Sequence, residues 1–390
     1  MENYVYYCPA RMIFGRGEEK NVGRYLTAYG AKRVLLHYGG GSIKRSGLYE
    51  TVTEAMRREG IWFCELGGVK PNPRLSLVRE GIALAKKEKT DFILAVGGGS
   101  VIDSAKAIAQ GALTDDDIWE YYMDPAKNAA DALPIGCVLT IPAAGSESSN
   151  GSVITDEISG FKRYTGGECV IPKFSILDPE LTYTLPPYQT ACGCSDILAH
   201  LMERYFTPTV HTDLTDRLLE ATMKTVMTFG PMALGSPRDY EIRAEIMQAG
   251  YIAHNDSLNG GRAGDWASHD IEHELSGRYD IAHGAGLAII FPAWMRYVSP
   301  KKPERIAQFG RRVLGMDVAA ADERALPEAV IARMEDWYRR MGLPVRLFEA
   351  GITEDAYDEM AAMCVKNRGT VGGYIKLGAD DIKEIYRLAK

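Results

Sequence analysis

An α/β domain built on a parallel sheet, followed by an all-helical domain, is the architecture that this 390-residue sequence predicts. Three observations point there. Short apolar runs alternate with helical-period segments through the first half. Two of those runs stop at glycine clusters, Gly39-Gly40-Gly41 and Gly97-Gly98-Gly99. Strand-like patterning then all but vanishes beyond Leu185-Pro186-Pro187. Alternating strands and helices imply parallel strands with right-handed crossovers. Proline cannot continue an element on its N-terminal side, so the expected domains are residues 1–186 and 187–390. At about 150 residues per domain the length suits two or three domains.

The elements follow in order. Residues 33–38 (RVLLHY) form a short apolar run, and 46–59 have helical spacing. Residues 61–66 (IWFCEL) are strand-like and 75–88 are amphipathic and helical. The run 91–96 (DFILAV) is a buried strand, 101–110 a helix with small residues on one face, and 134–141 (PIGCVLTI) another buried strand. In the second domain, helices are expected over 190–206, 213–229, 239–257, 266–276, 285–297, 303–314, 325–341, 355–364 and 379–388.

Composition narrows the function classes. With 46% hydrophobic and 25% charged residues the chain is neither disordered nor a disulfide-stapled miniprotein. A net charge of −7 without a basic block argues against a large nucleic-acid surface, though a small anion site remains open. Apolar stretches such as 281–295 carry His or Pro and fall short of a membrane span. The start, MENYVYYCPAR, has no basic flank before an apolar run, so no signal peptide is expected. The seven cysteines are irregularly spaced, and Cys192 and Cys194 lack the second pair that a zinc site requires. Reduced thiols in a cytoplasmic protein are the expectation.

The first candidate site is the turn at Gly97, Gly98, Gly99 and Ser100, between a strand and a helix. Glycines let the backbone approach a phosphate, and the first helical N–H groups stabilise the anion. Residues 140–150 (TIPAAGSESSN) form a second small, polar loop after a strand, suited to the same ligand. The GxGxxG fingerprint is absent after the strand at 33–38. That strand runs into Gly39-Gly40-Gly41-Ser42 with Lys44 and Arg45 close behind and no carboxylate. An acidic residue there would bind ribose hydroxyls and repel a 2′-phosphate. Its absence favours NADP(H); an ordinary solvated helix start is the alternative for the two cations.

The second candidate site is histidine-rich. Asp196 and His200 are four residues apart on an expected helix, as are His269 and His273 on a later one, and His283-Gly284 opens the next. Positions i and i+4 share a helical face, and three imidazoles with a carboxylate suit Zn²⁺ or Fe²⁺. Five candidates exceed the usual four ligands, so one histidine has another task. His211 and His254 stand alone, and the spacing is not HExxH.

Taken together, these motifs resemble the iron-containing (group III) alcohol dehydrogenases, most nearly their NADPH-dependent butanol dehydrogenase and aldehyde reductase branch. The resemblance spans nearly the whole chain: FGRG at 14–17, Pro71-Asn72-Pro73, GGGSVIDSAK at 97–106, GSES at 145–148, LDPELTYTLPP at 177–187, and the two histidine groups. It implies a Rossmann-like dinucleotide-binding domain followed by a metal-binding helical domain. Asp196, His200, His269 and His283 would be the ligands, and His273 would lie near the nicotinamide as the catalytic histidine. The pyrophosphate would rest on Gly97 to Ser100. Asn72, Asp103, Thr140, Ser146 and Lys162 would complete the cofactor site, with Gly39, Gly40, Gly41 and Ser42 at the 2′-phosphate. The expected reaction interconverts primary alcohols and aldehydes with NADP(H) and one Fe²⁺ or Zn²⁺, mainly as aldehyde reduction, in a homodimer or larger assembly. Ala144 stands where the family usually has Thr, and the stretch GRYDIAHG before Gly284 departs from the expected small, polar linker. Two other readings stay open: a lyase resembling dehydroquinate synthase, which would need a dense basic pocket, and a non-catalytic metal- and nucleotide-binding sensor.

Overall fold

The protein is described here by a computed structural model. It describes all residues except 125, 128, 129, 317–324 and 354. Packing divides the chain into two units. One is Tyr7–Leu185; the other joins Met1–Tyr6 to Pro186–Lys390. The break lies one residue from the expected boundary. The first six residues, which the sequence reading gave to the α/β domain, pack with the helical one: the Met1 ammonium donates to Val210 O (2.8 Å) and Glu2 N to Gly261 O (2.9 Å).

The α/β unit is a six-stranded, all-parallel sheet in the order β1-β8-β5-β4-β2-β3. Its strands are β1 (Arg11–Phe14), β2 (Arg33–Tyr38), β3 (Trp62–Leu66), β4 (Phe92–Gly97), β5 (Ile135–Leu139) and β8 (Phe174–Leu177). Strand β4 (FILAVG) is buried along its whole length, as a central strand covered by helices on both faces must be. Between them run α3 (Leu48–Arg58), α4 (Leu75–Glu88) and α5 (Gly99–Gly111). From β2 the chain moves outward to β3, then returns past β2 to β4 and continues the other way. The sheet therefore reverses direction between β2 and β4, the place where ligands of such sheets bind. The two glycine turns leave those two strands.

Several features were not anticipated, among them α1 (Val22–Ala28), α6 (Glu120–Met123) and the strand β8. The short edge strand β1 pairs with β8. Helix α3 starts two residues later than expected, after the short helix α2 (Ser42–Arg45), because Gly47 takes a left-handed conformation (φ 79°) between them. Strands β6 (Gly151–Thr155) and β7 (Lys162–Gly166) form an antiparallel hairpin outside the main sheet.

A buried histidine ties the sheet to α5. His37, at the end of β2, donates from Nδ1 to Leu66 O (2.9 Å), and its Nε2 accepts from Ser104 Oγ (2.8 Å). Burial lowers its pKa to about 4, against 6.5 in the unfolded chain. The folded state therefore favours the neutral ring. Its contribution is complete above pH 6.5 and lost as pH falls through about 4. The whole effect is about 3 kcal/mol. Denaturant titrations of wild type and His37→Leu should show a stability deficit that is largest at neutral pH and shrinks on acidification over that window.

The helical unit comprises α7 (Pro187–Tyr205), α8 (Asp213–Gly235), α9 (Tyr240–His254), α10 (Ala267–Tyr279), α11 (His283–Val298), α12 (Glu304–Arg312), α13 (Leu326–Arg340), α14 (Tyr357–Val365) and α15 (Ala379–Leu388). Pro187 opens α7 at a position where its missing N–H costs nothing. From Thr190 onward α7 is buried on nearly every side, by an apolar core that includes Leu198, Met202, Trp294 and Trp337. Among the described residues no helix is long and apolar enough to cross a membrane.

Candidate active site

In the α/β unit, β4 ends at Gly97 and Gly98 leads into α5 without a capping side chain. No side-chain oxygen of the cap thus competes for the first N–H groups of the helix, which suits an anion. The glycines have no room to be anything else. A Cβ on Gly97 would stand 2.4 Å from Val101 Cγ2, and one on Gly98 would stand 2.1 Å from Ile141 Cγ2. Thr140 N donates to Gly97 O (3.1 Å), so the second loop lies against the first. Ala144, the departure from the family pattern, sits beside Gly99: a Cβ there would be 3.0 Å from the Ala144 Cβ.

Lys106 is fully buried and Asp103 half-buried, one turn apart on α5, and both bond that second loop and the strand after it. The Asp103 carboxylate accepts from Ser146 Oγ (2.5 Å) and Val153 N (3.0 Å). Lys106 Nζ donates to Ser149 O and Gly151 O, both at 2.8 Å. Burial lowers the Lys106 ammonium to about 8 and raises the Asp103 carboxyl, with their mutual attraction opposing both shifts. Asp103, expected at the cofactor, therefore spends its hydrogen bonds on the loop that carries Ser146. Asn72 and Lys162 also come together: Lys162 Nζ donates to Asn72 Oδ1 (3.1 Å), both side chains being buried.

The turn after β2 refines the reading of its cations. Lys44 Nζ lies 4.0 Å from the Glu65 carboxylate and over the rings of Tyr38 (5.2 Å) and Tyr49 (4.7 Å). Glu65 also accepts from both tyrosine hydroxyls. Arg45 folds back over the turn: a Cβ on Gly41 would stand 2.9 Å from its Nη1. Gly40 faces open space.

In the helical unit, α7 carries Asp196 and His200, α10 carries His269 and His273, and His283 opens α11. Asp196 Oδ1 is the common point. It lies 3.3 Å from His200 Nδ1, 4.0 Å from His269 Nε2 and 3.8 Å from His283 Nε2. Asp196, His200 and His269 are buried and offer ligand atoms within 4.8 Å of one another; Glu272, His273 and His283 form an adjoining group on the same criterion.

The partners of the ring nitrogens test whether a metal fits. His200 Nδ1 donates to Asp196 O (3.0 Å). His269 Nδ1 donates to Glu203 Oε1 (2.8 Å), and His283 Nδ1 to Glu272. His269 and His283 are thus held at Nδ1 by buried carboxylates, the usual support of metal-bound histidine. Burial, then His269, Arg204 and His283, keep His200 well below its ordinary pKa, so its ring stays neutral. Burial raises Glu203 to about 8, opposed by the N–H groups of His269 and Trp266 that donate to it. One carboxylate and three imidazoles form a donor set that fits Zn²⁺ or Fe²⁺.

Several participants escaped the sequence reading. Glu203 and Glu272 lie three residues beyond His200 and His269, on the same helical faces, a spacing present in the sequence but not used. His254, read as standing alone, packs against His200 with ring centroids 4.3 Å apart, and its Nδ1 lies 3.1 Å from Arg204 Nη2. Trp266 adopts a left-handed backbone (φ 67°) that is costly for a bulky residue. Its ring packs against His200, His254 and His269.

A glycine turn suited to an anion in one unit and a carboxylate–imidazole cluster suited to a metal in the other are the features of a nucleotide- and metal-binding protein. Residues 9–179 match the family described as iron-containing alcohol dehydrogenase, and residues 190–390 match the C-terminal region of the Fe-containing alcohol dehydrogenase family. The chain belongs to the iron-containing alcohol dehydrogenase family. It is 42% identical to the probable NADH-dependent butanol dehydrogenase 1 of Bacillus subtilis over 99% of both chains. It is 37% identical to the NADPH-dependent aldehyde reductase YqhD of Escherichia coli over 90% of both. The crystal structure of NADH-dependent butanol dehydrogenase A from Thermotoga maritima superimposes with a TM-score of 0.96 at 40% identity, covering 100% of this chain and 99% of that one. The protein is therefore an alcohol–aldehyde oxidoreductase that uses a nicotinamide cofactor and a metal, and the lyase and sensor readings fall away.

Proposed function

We propose that the protein interconverts primary alcohols and aldehydes with NADP(H), working mainly as an aldehyde reductase, with Asp196, His200, His269 and His283 holding one Fe²⁺ or Zn²⁺. The observation that carries this reading is the gathering of His200, His269 and His283 around Asp196 Oδ1, with His269 and His283 turning Nε2 toward it while their Nδ1 atoms donate to Glu203 and Glu272. Bound, the ion would polarise a carbonyl oxygen, and the nicotinamide would carry the hydride. The chain's own residues bind, orient and move a proton. The turn Gly97 to Ser100 takes the pyrophosphate, and Thr140, Ser146, Asn72 and Lys162 orient the ribose and nicotinamide. Asp103 acts on the cofactor through Ser146. Glu203 and Glu272 keep the ligand rings in the tautomer that presents Nε2. His273, one turn beyond His269 on α10, passes a proton to the alkoxide as hydride arrives. Cys64, Cys137, Cys192 and Cys194 are free thiols, as a reducing compartment permits. We place the protein in the cytoplasm, as a homodimer or larger assembly.

The cofactor preference rests on the turn after β2. Gly39, Gly40, Gly41 and Ser42 present no carboxylate, and the guanidinium of Arg45 lies over Gly41. Lys44, shared with Glu65 and two tyrosines, contributes less than its position in the sequence suggests. The named relatives include NADH- and NADPH-dependent enzymes, so the preference is a property of this turn rather than of the family.

The test is oxidation of NADPH or NADH by butanal, using protein stripped of metal and reloaded separately with Zn²⁺ and Fe²⁺. Metal-dependent oxidation that favours NADPH is the expected result; no oxidation with either cofactor and either metal, across several aldehydes, overturns the reading. Gly40→Asp places a carboxylate in open space beside the expected 2′-phosphate. It should lower kcat/KM for NADPH by about 10²-fold through like-charge repulsion and spare NADH. An equal loss with both cofactors would remove the turn from the 2′-phosphate site.

A further inference from the structure

Helix α11 opens with His283-Gly284-Ala285-Gly286. Two glycines in a first turn are an odd choice, because glycine is the poorest helix former after proline. At a position with room, alanine would raise stability. Neither glycine has room, and the obstacle differs. A Cβ on Gly284 would stand 2.0 Å from Cys192 O, the backbone of α7. The three atoms nearest a Cβ on Gly286 would all belong to Glu272: Oε1 at 2.4 Å, Cγ at 2.8 Å and Cδ at 2.9 Å. Glu272 is fully buried and accepts from His283 Nδ1 and Ser276 Oγ. It cannot give way without releasing the ring of His283.

We propose that Gly286 is a positioning residue for metal binding: the space left by its missing side chain seats Glu272, and Glu272 turns the Nε2 of His283 toward Asp196. The inference rests on His283 being a ligand, as argued above. It separates the two glycines by role. Gly284 sets how closely α11 approaches α7, with Ser195 Oγ donating to Gly284 O (2.6 Å) at the crossing. Gly286 acts through one carboxylate.

That difference yields a test by double-mutant cycle. Zn²⁺ affinity is measured by competition with a chromogenic chelator, and the thermal midpoint is measured on metal-free protein. The proteins are wild type, Gly286→Ala, Glu272→Ala and the double variant. Gly286→Ala and Glu272→Ala should each weaken Zn²⁺ binding about 10- to 100-fold, the usual cost of losing the carboxylate behind a ligand histidine. The double variant should bind no more weakly than Glu272→Ala alone. The thermal readout should change sign: Gly286→Ala lowers the midpoint in the wild-type background and raises it when Glu272 is absent. Gly284→Ala should lose affinity in both backgrounds, since truncating Glu272 does not move the α7 backbone. Losses that add across the cycle, or undiminished Zn²⁺ affinity in Gly286→Ala, overturn the proposal alone. A wild type that takes up neither Zn²⁺ nor Fe²⁺ overturns the ligand assignment and the proposal with it.

Discussion

Replacing Asp196 by alanine is expected to strip the helical unit of its metal and leave the unit folded. Asp196 is the only anionic member of the proposed ligand set, and the three imidazoles around it are within about one ligand-to-ligand distance of its Oδ1. Without it a divalent ion would face three neutral donors in a buried site, where charge left uncompensated is expensive. Metal content measured on purified protein should fall from about one ion per chain to a small fraction of that. Turnover should fall at least about 10³-fold, the scale of losing the principal stabiliser of a developing oxyanion. Heat stability gives an independent reading. The wild type's midpoint should rise with added metal, by the equivalent of about 4 kcal/mol at a thousandfold excess over Kd. The variant's midpoint should not respond. A variant that stays fully metallated and active would reject the site, and His283→Ala should behave as Asp196→Ala does.

The second large effect is expected at His273. His273→Ala should keep its metal and lose about 10²- to 10⁴-fold in kcat, the range for removing a positioned proton donor. His273 is buried on α10 one turn from His269, and its ring centroid lies 5.5 Å from that of His283. It groups with Glu272 and His283, and it is His283 whose Nε2 lies 3.8 Å from Asp196 Oδ1. The competing role is direct ligation, and elemental analysis separates the two: metal loss in His273→Ala would move this residue into the ligand set. Added imidazole should restore part of the lost rate if proton transfer is what was removed. It should restore nothing if the substitution only loosens α10.

Legibility in the sequence followed the range of the interaction that decides each feature. Strands β2, β4 and β5 were visible because each is a continuous apolar run, two of them ending at glycine, and α4 and α15 were placed to the residue by helical periodicity. Strand β1 is only four residues long and owes its existence to pairing with β8, more than 150 residues away. The β6–β7 hairpin buries polar side chains such as Ser152, Thr155 and Lys162, so its pattern carries no apolar alternation. In the site, the i, i+4 pairs were legible because a helix alone makes them neighbours. That α7, α10 and the start of α11 form one site was suggested by the donor types gathered in one helical domain, and which four residues are ligands was implied only by the resemblance. Glu203 and Glu272 had the right spacing, but acidic residues on helices are mostly solvated, and only the packed helices make these two fully buried. The engagement of Lys44 by Glu65 depends on β3 lying beside β2. No local pattern announces it.

The two units differ in how the chain visits them, and this sets an order of assembly. Tyr7–Leu185 is one uninterrupted stretch, whereas the helical unit is made of Met1–Tyr6 and Pro186–Lys390. On a translating ribosome the sheet and its glycine turns are complete before the first ligand-bearing helix has been made. Met1–Tyr6 emerge before the sheet and are among the last to find their place, because Val210 and Gly261, which they bond, come two hundred residues later. At about 5–20 residues per second the wait is roughly ten to forty seconds. The α/β unit can thus fold during synthesis, while the proposed ligand set is complete only after the start of α11 has left the ribosome.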